Sequence, residues 1–319
     1  MPEFELINRY FKSTTVQRDD VLLGIGDDCA ILSPPPGKQL AVSTDTLISG
    51  VHFPETTSAE DIGYKSLAVN LSDLAAMGAE PAWVSLAISL PEADESWLRD
   101  FMQGFNQLAV RHHVALIGGD TTRGPLSITV SVTGFVDAIK SLRRSEAKVG
   151  DVIFVTGNLG DARLGLESLL GNIQISDTGI NDYFLRCLNR PEPKVVIGRL
   201  LAGYPVAAID LSDGLLADLD HICKASATGA VIHLDKIPLS KQLFDIYDSK
   251  PDWSLICNAG DDYELCFTCP PDDIDSLLRD LNSQGFEVFP IGEIDNSASV
   301  TCYLNGHEYS QLGSGYNHF

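Results

Sequence analysis

Five short segments of the chain set carboxylates beside glycine or hydroxyl residues: Gly24-Ile-Gly-Asp-Asp28, Ser43-Thr-Asp-Thr46, Asn70-Leu-Ser-Asp73, Gly118-Gly-Asp-Thr-Thr122 and Asp210-Leu-Ser-Asp-Gly214. Each falls where an apolar, strand-like run ends or a helix-like run begins, the position at which α/β proteins build their sites. Aspartate offers hard oxygen ligands, serine and threonine add neutral oxygens, and glycine lets the backbone approach a phosphate closely. Together these suit magnesium bound to a nucleotide. Taken singly, each segment reads as well as a helix cap or a turn. Their number matters, because carboxylates meeting in one place repel by about 4 kcal/mol per pair at about 4 Å and an effective dielectric of about 20. Such a cluster binds cations or holds protons. Asn70 and Asp73 share a helical face at i and i+3, and Asp45 and Asp120 end apolar strands, so convergence of these groups is the expectation.

Other chemistries find less support. The chain has no Gly-x-x-x-x-Gly-Lys-Ser/Thr, no Gly-x-Ser-x-Gly, no His-Glu-x-x-His and no His-Arg-Asp followed by Asp-Phe-Gly. Any phosphate site is therefore of a non-Walker kind. Cys266-Phe-Thr-Cys269 lies in a strand-like run, where odd spacing sends the two sulfurs to opposite faces. His112-His113 reads as the end of a helix rather than a ligand pair.

The elements that must position these groups alternate between strand and helix, which predicts a mixed α/β (α+β) protein. Residues 39–48 read as a strand, and Ser58 with Asp61 three residues on opens a helix that buries Leu67, Leu71 and Leu74 until Gly78 and Pro81 stop it. A strand over 82–90 follows, then a helix with the apolar stripe Leu98, Phe101, Met102, Phe105, Leu108 and Ala109, and strands over 115–121 and 127–136. After the polar stretch 140–148 the pattern restarts with a strand over 152–156, a Gly157/Gly160 turn and a helix. A strand over 206–211, a helix from Leu215 closed by Gly229, a strand over 231–234 and a hairpin at Asn305-Gly306 complete it. Two domains are expected, 1–138 and 139–319, as 319 residues exceed the usual span of one core. A net charge of -22 opposes nucleic acid and anionic membranes as partners. The seven scattered cysteines, the acidic start Met1-Pro2-Glu3-Phe4-Glu5 and the lack of a long apolar run predict a reduced, cytoplasmic protein.

Read in order, the motifs resemble those of the thiamine-monophosphate kinases, within the superfamily of aminoimidazole ribonucleotide synthetase. The likeness rests on Gly24-Ile-Gly-Asp-Asp-Cys-Ala30, Ser43-Thr-Asp-Thr-Leu47 with His52-Phe53, Asn70-Leu-Ser-Asp-Leu-Ala-Ala-Met-Gly78, Leu116-Ile-Gly-Gly-Asp-Thr-Thr-Arg-Gly124, Ile209-Asp-Leu-Ser-Asp-Gly-Leu215, Asp262-Tyr-Glu-Leu-Cys-Phe267 and Gly315-Tyr316. It implies an N-terminal sheet that forms a β-barrel across a homodimer, a C-terminal α/β domain, and transfer of a phosphoryl group from ATP to thiamine monophosphate with several Mg²⁺ ions. By matching motif to motif, Asp28, Ser43, Thr44, Asp45, Asp73, Asp120, Asp210 and Asp213 would be metal ligands, with Asp45, Asp73 and Asp120 at the centre of catalysis. Gly119, Asp120, Arg144 and Ser212 would touch ATP, and His52, Asp261 and Tyr316 the thiamine phosphate. The family pattern has Gly-Gly-Glu-Asp-Tyr-Glu-Leu where this chain has Ala259-Gly-Asp-Asp-Tyr-Glu-Leu265, so Asp261 is one methylene short. The competing readings are another ATP-dependent synthase of the superfamily and a non-catalytic magnesium-nucleotide sensor. A selenophosphate synthetase would carry a reactive cysteine or selenocysteine near its glycine-rich N-terminus. A hydrogenase-maturation protein ends in cysteine, whereas this chain ends Asn317-His318-Phe319.

Overall fold

The structure is a computed structural model that describes residue 5 and residues 7–310. It divides into two compact units, residues 1–74 with 79–139 and residues 75–78 with 140–319.

In the first unit a short hairpin, β1 (Val21–Leu23) and β2 (Ile31–Leu32), precedes β3 (Lys38–Ile48), α1 (Ala59–Ala76), β4 (Glu80–Leu90), α2 (Glu95–Arg111), β5 (Ala115–Arg123) and β6 (Ser127–Asp137). The four long strands form one sheet in the order β3-β6-β4-β5, antiparallel except for the β4/β5 pair that α2 connects. Alternation along β3 turns Ala41, Ser43, Asp45 and Leu47 one way and the exposed Leu40, Val42, Thr44, Thr46 and Ile48 the other. The capping box forms as the sequence predicts: Asp61 N–H donates to Ser58 Oγ at 3.1 Å, and Ser58 Oγ–H donates to the Asp61 carboxylate at 2.8 Å. The α2 stripe is buried from Leu98 to Ala109.

What the sequence conceals is how closely α1 and α2 approach. A Cβ added to Gly63 would lie 1.9 Å from Phe101 O, and one added to Gly104 would lie 1.8 Å from Glu60 O. The two glycines thus bring the helix backbones into direct contact, which holds the Asp73-bearing end of α1 in a fixed direction.

The second unit contains β7 (Val152–Val155), α3 (Asp161–Leu169), α4 (Thr178–Asn189), α5 (Val195–Leu201), β8 (Ala208–Asp210), α6 (Leu215–Ser226), β9 (Gly229–His233), α7 (Lys241–Ile246), α8 (Trp253–Cys257), β10 (Leu265–Cys269), α9 (Ile274–Ser283), β11 (Phe289–Asp295), β12 (Val300–Leu304) and β13 (His307–Glu308). Its seven strands run β13-β12-β9-β11-β7-β10-β8, with only β12/β9 parallel among them. The core joins Ile153, Val155, Ile209, Leu219, Ile232, Cys266 and Ile291 from these strands and α6. The β12–β13 hairpin turns at Asn305-Gly306 as predicted. One expectation is corrected. Helix α6 closes not at Gly229 but at Ala227, in the left-handed conformation at φ 54°, and Gly229 instead opens β9. A Cβ at Gly229 would lie 2.3 Å from Ser297 Oγ and 2.6 Å from Asp295 Oδ1, so this glycine serves packing rather than helix termination.

Gly104→Ala tests the α1/α2 contact. Alanine gains about 1 kcal/mol of helix propensity, yet overpacking against a rigid backbone costs about 1 to 3 kcal/mol, and here the Cβ meets the main chain of α1 at both Glu60 and Tyr64. The expected result is a net loss on the order of 2 kcal/mol in urea denaturation. A midpoint equal to or above that of the parent protein would show the helices are not in backbone contact.

Candidate active site

In the first unit the predicted ligands fall into two groups. The first gathers where β3 faces α1. Asp45 and Ser43 lie on the same face of β3, and Ser43 Oγ–H donates to Asp73 Oδ2. Asp45 is itself hydrogen-bonded to Asp73. Burial first, and the neighbouring Asp73 charge second, push the Asp45 carboxyl up to about 6. The pair therefore takes up a proton as the pH falls toward about 6, and a cation would compete with that proton. One turn earlier on α1, Asn70 Nδ2 donates to Ser66 O at 3.0 Å, while its buried Oδ1 finds no donor among the described residues. An all-oxygen set whose carboxylates repel one another, beside an unpaired acceptor, fits a hard divalent cation. The side chain of Thr44 points the opposite way, donating to Ser131 Oγ at 2.9 Å, so only its main chain faces this group.

The second group surrounds a cavity of about 470 Å³ lined by Lys12, Gly26, Asp27, Asp28, Gly118, Gly119, Asp120 and apolar residues that include Phe11 and Leu86. Asp27 Oδ1 accepts the backbone N–H of Asp28 at 2.9 Å, which engages the Asp27 carboxylate locally and leaves the exposed Asp28 for a ligand. Gly119, at φ 153°, lies where a Cβ would be 1.8 Å from Leu86 O; no other residue fits that approach of β5 to β4. Register separates this group from the first. Asp120 aligns with Ala87, Thr129 and Thr46 on the exposed row, whereas Asp45 aligns with buried Val130 and Leu86. The expected gathering of Asp45, Asp73 and Asp120 is therefore met for the first two and not for Asp120. Among the described residues, no three carboxylate, imidazole or thiol side chains come together closely enough to hold an ion by themselves. His52 lies in the turn after β3, its Nδ1 accepting from Ile48 N–H at 3.1 Å.

In the second unit, pairing explains why distant segments meet. Leu265 opposes Asp210, and Cys266 opposes Val155, so the loop after β8, the loop before β10 and the loop after β7 emerge at one end of the sheet. Asp261 N–H donates to Ser212 O at 3.0 Å and Tyr263 N–H to Leu211 O at 2.8 Å, which sets Asp261 directly against the Ser212-Asp213 loop. A Cβ on Gly260 would lie 2.4 Å from Ser212 O, so glycine is needed for that closeness. Asp218, missed in the sequence although it stands four residues after Gly214, anchors the loop by accepting the N–H groups of Asp213 at 3.0 Å and Gly214 at 3.1 Å. Burial pushes its carboxyl up to about 7, against the opposing influence of those hydrogen bonds and of the Arg144 charge. Arg144 is exposed, with its carbonyl oxygen accepting from Ser226 Oγ–H at 2.8 Å. Tyr316 lies outside the described residues.

The chain matches the families described as AIR synthase related protein, N-terminal domain, over residues 26–136, and AIR synthase related protein, C-terminal domain, over residues 148–305. It is 45% identical to the thiamine-monophosphate kinase of Escherichia coli (strain K12) over 318 residues, 99% of this chain and 98% of that one. The chain belongs to the thiamine-monophosphate kinase family. The crystal structure of the Stenotrophomonas maltophilia K279a thiamine-monophosphate kinase superposes with a TM-score of 0.87 at 46% identity, covering 97% of this chain and 98% of that one. A structure described as AaThiL complexed with AMPPCP and TMP superposes at 0.78 and 28% identity, covering 99% and 97%. Within this thiamine-monophosphate kinase family member, the shortened Asp261 sits on a loop pinned by its own backbone, so the missing methylene changes the reach of the carboxylate rather than the placement of its Cα.

The Asp45 carboxyl yields a pH prediction. Because its folded-state pKa of about 6 exceeds the ordinary carboxylate value, the stability it withholds is fully present below about pH 4 and is lost as pH rises toward 6. In metal-free buffer with chelator, Asp45→Asn should be more stable than the parent protein at about pH 7.5, by on the order of 1 to 2 kcal/mol once partial exposure is discounted, with the gap closing near pH 4. Denaturant titrations at the two pH values decide it, and an Asn variant less stable at the higher pH contradicts the raised Asp45 carboxyl.

Proposed function

We propose that the protein transfers the γ-phosphoryl group of ATP to the phosphate of thiamine monophosphate, giving thiamine diphosphate. The observation that carries this reading is the zippering of the Asp261 loop onto the Ser212-Asp213 loop, since it puts the family's acceptor-binding position beside its nucleotide- and metal-binding positions. Asp28, Ser43, Asp45, Asp73, Asp120, Asp210 and Asp213, with the main chain of Thr44, would hold magnesium. When bound, such ions neutralise the repulsion between donor and acceptor phosphates. Gly119, Asp120, Arg144 and Ser212 would contact ATP, and His52, Asp261 and Tyr316 the thiamine phosphate. The cavity at Asp28 and Asp120 has the size of a small-molecule site. Gly118 and Gly119 line it without side chains, so a phosphate can approach their backbone.

In-line transfer asks little proton chemistry of the protein. A phosphate monoester has its second pKa near about 6 and is largely dianionic at about pH 7, so the attacking oxygen is already deprotonated. No general base is required, which accords with a site of carboxylates and no catalytic triad.

We further propose a homodimer. Leu40, Val42 and Ile48, exposed at 50%, 63% and 41%, form with Thr44 and Thr46 an uncharged stripe along β3, an eleven-residue strand at the edge of its sheet. A second copy pairing face to face would cover it, as an edge of this length and composition is otherwise an aggregation hazard. Seven free cysteines, five of them buried, suit a reducing cytoplasmic setting, and no helix of the described residues is long and apolar enough to cross a membrane.

Incubation of purified protein with ATP, Mg²⁺ and thiamine monophosphate should yield thiamine diphosphate, resolved by chromatography. Asp120→Asn should cut turnover by about a hundredfold or more with an unchanged far-ultraviolet spectrum. Free thiamine should give little product, because its alcohol would need a base. Efficient use of thiamine, or no diphosphate from the monophosphate, sinks the mechanism. Separately, Val42→Asp should convert the dimer to monomer in light scattering; a parent protein already monomeric at micromolar concentration removes the dimer.

A further inference from the structure

The segment before β10 carries a constraint that the roles above leave unexplained. Asp261 and Tyr263 both adopt left-handed backbone conformations, at φ 71° and 49°. For a bulky residue such as Tyr263 this is a strained state that persists only where the surroundings hold it. Between them, Asp262 accepts the backbone N–H of Gly160 with both oxygens, at 3.1 and 3.0 Å. Gly160 is the N-cap of α3, at φ 88°, and has no side chain to cap its own helix. That post is rigid. The next residue, Asp161, is buried and accepts from Ser240 Oγ–H and Tyr183 O–H, each at 2.6 Å. At the far end of the same segment, the Glu264 carboxylate accepts from Thr156 Oγ–H at 2.6 Å and pairs with Lys194 Nζ at 3.0 Å. Gly157 makes room for it, because a Cβ there would lie 2.5 Å from Glu264 Oε1.

We infer that Asp262 is a positioning residue for the phosphate acceptor: its carboxylate clamps the loop to the start of α3 and so fixes the direction in which the neighbouring Asp261 presents its side chain. The inference rests on the thiamine-monophosphate kinase reading for the identity of the acceptor, and on the geometry alone for the clamp. Adjacency explains the division of labour. Asp261 and Asp262 are adjacent, so holding Asp262 on Gly160 between two left-handed residues fixes the backbone from which Asp261 projects. A carboxyl group suits the inward position, since both of its oxygens lie within hydrogen-bond distance of the Gly160 N–H at the start of α3. The opposing loop does not depend on this clamp, because Asp213 and Gly214 have their own anchor in Asp218. The effect of losing Asp262 should therefore fall on the acceptor and spare the nucleotide.

Asp262→Ala and Asp262→Asn in the full-length protein test this, with steady-state kinetics for each substrate and hydrogen exchange at the Asp261 and Tyr263 amides. The alanine variant should raise KM for thiamine monophosphate by about tenfold or more while KM for ATP changes less than about twofold. Its two amides should exchange faster than those of the parent. Asparagine keeps one acceptor oxygen and should recover most of the KM. Should the alanine variant fail to fold, the asparagine variant carries the test, with a smaller rise in acceptor KM and faster exchange at the same two amides. Unchanged acceptor KM and unchanged exchange in a folded variant overturn the proposal. So does an equal loss of activity toward both substrates with both KM values intact, which marks a purely structural role. A parent protein that makes no thiamine diphosphate would defeat the kinase reading instead, leaving the exchange data to judge the clamp.

Discussion

Carboxylates set on neighbouring strands, helices and loops repel one another and repel the phosphates they are meant to serve. The structure depends on how that repulsion is contained. In the first unit Asp45 is hydrogen-bonded to Asp73 and its carboxyl is raised to about 6, so the pair takes up a proton as the pH falls toward that value. In the second unit burial raises Asp218 to about 7 and Asp262 well above the ordinary range, and backbone N–H groups oppose that rise: Asp218 receives those of Asp213 and Gly214, and Asp262 receives that of Gly160. These are two physical answers to one problem. A carboxylate pair without amide donors is open to a metal ion, whereas amide donors tie a group to its loop. The carboxylates matching the family's ligand positions include the Asp45/Asp73 pair, and those that fix loops are the amide-bound ones.

Much of the fold was legible because local rules and burial agree. The apolar stripe from Leu98 to Ala109, the Ser58/Asp61 capping box and the Asn305-Gly306 hairpin each follow from spacing within a few residues, and each appears as read. Where the sequence misled, tertiary packing overrode a local signal. Gly229 looks like a helix terminator, yet Ala227 takes the left-handed position and Gly229 is retained by Asp295 and Ser297 packed against it. Gly63 and Gly104 look like defects in helices, and only the contact between two backbones explains them.

The site was legible in composition and less so in arrangement. Asp45 and Asp73 meet as expected, since a strand facing a helix brings their faces together. Asp120 does not join them, because membership of a row depends on register, and the irregular β4 pairing at Val84 and Ser85 decides which residues of β5 share a face with Asp45. Equally hidden was the meeting of the Asp210–Gly214 and Ala259–Glu264 loops, which follows from β10 lying between β7 and β8, a neighbour relation that no local pattern encodes.

Asp218 and Asp262 show what kind of residue such reading overlooks. Neither lies in a motif by virtue of its own chemistry, and each is recognisable only by the donors it satisfies. Asp218 caps a loop at the start of α6, and Asp262 accepts the N–H of Gly160, the residue that opens α3. Helix N-termini thus serve as fixed points to which the ligand-bearing loops are tied, using the same partial positive charge that elsewhere binds phosphate directly. A net charge of -22 makes this arrangement useful. With 22 basic residues against 44 acidic ones, the protein relies less on arginine or lysine to hold acidic loops in place, and backbone amides do so without adding a mobile cation that would compete for the ligand's phosphates.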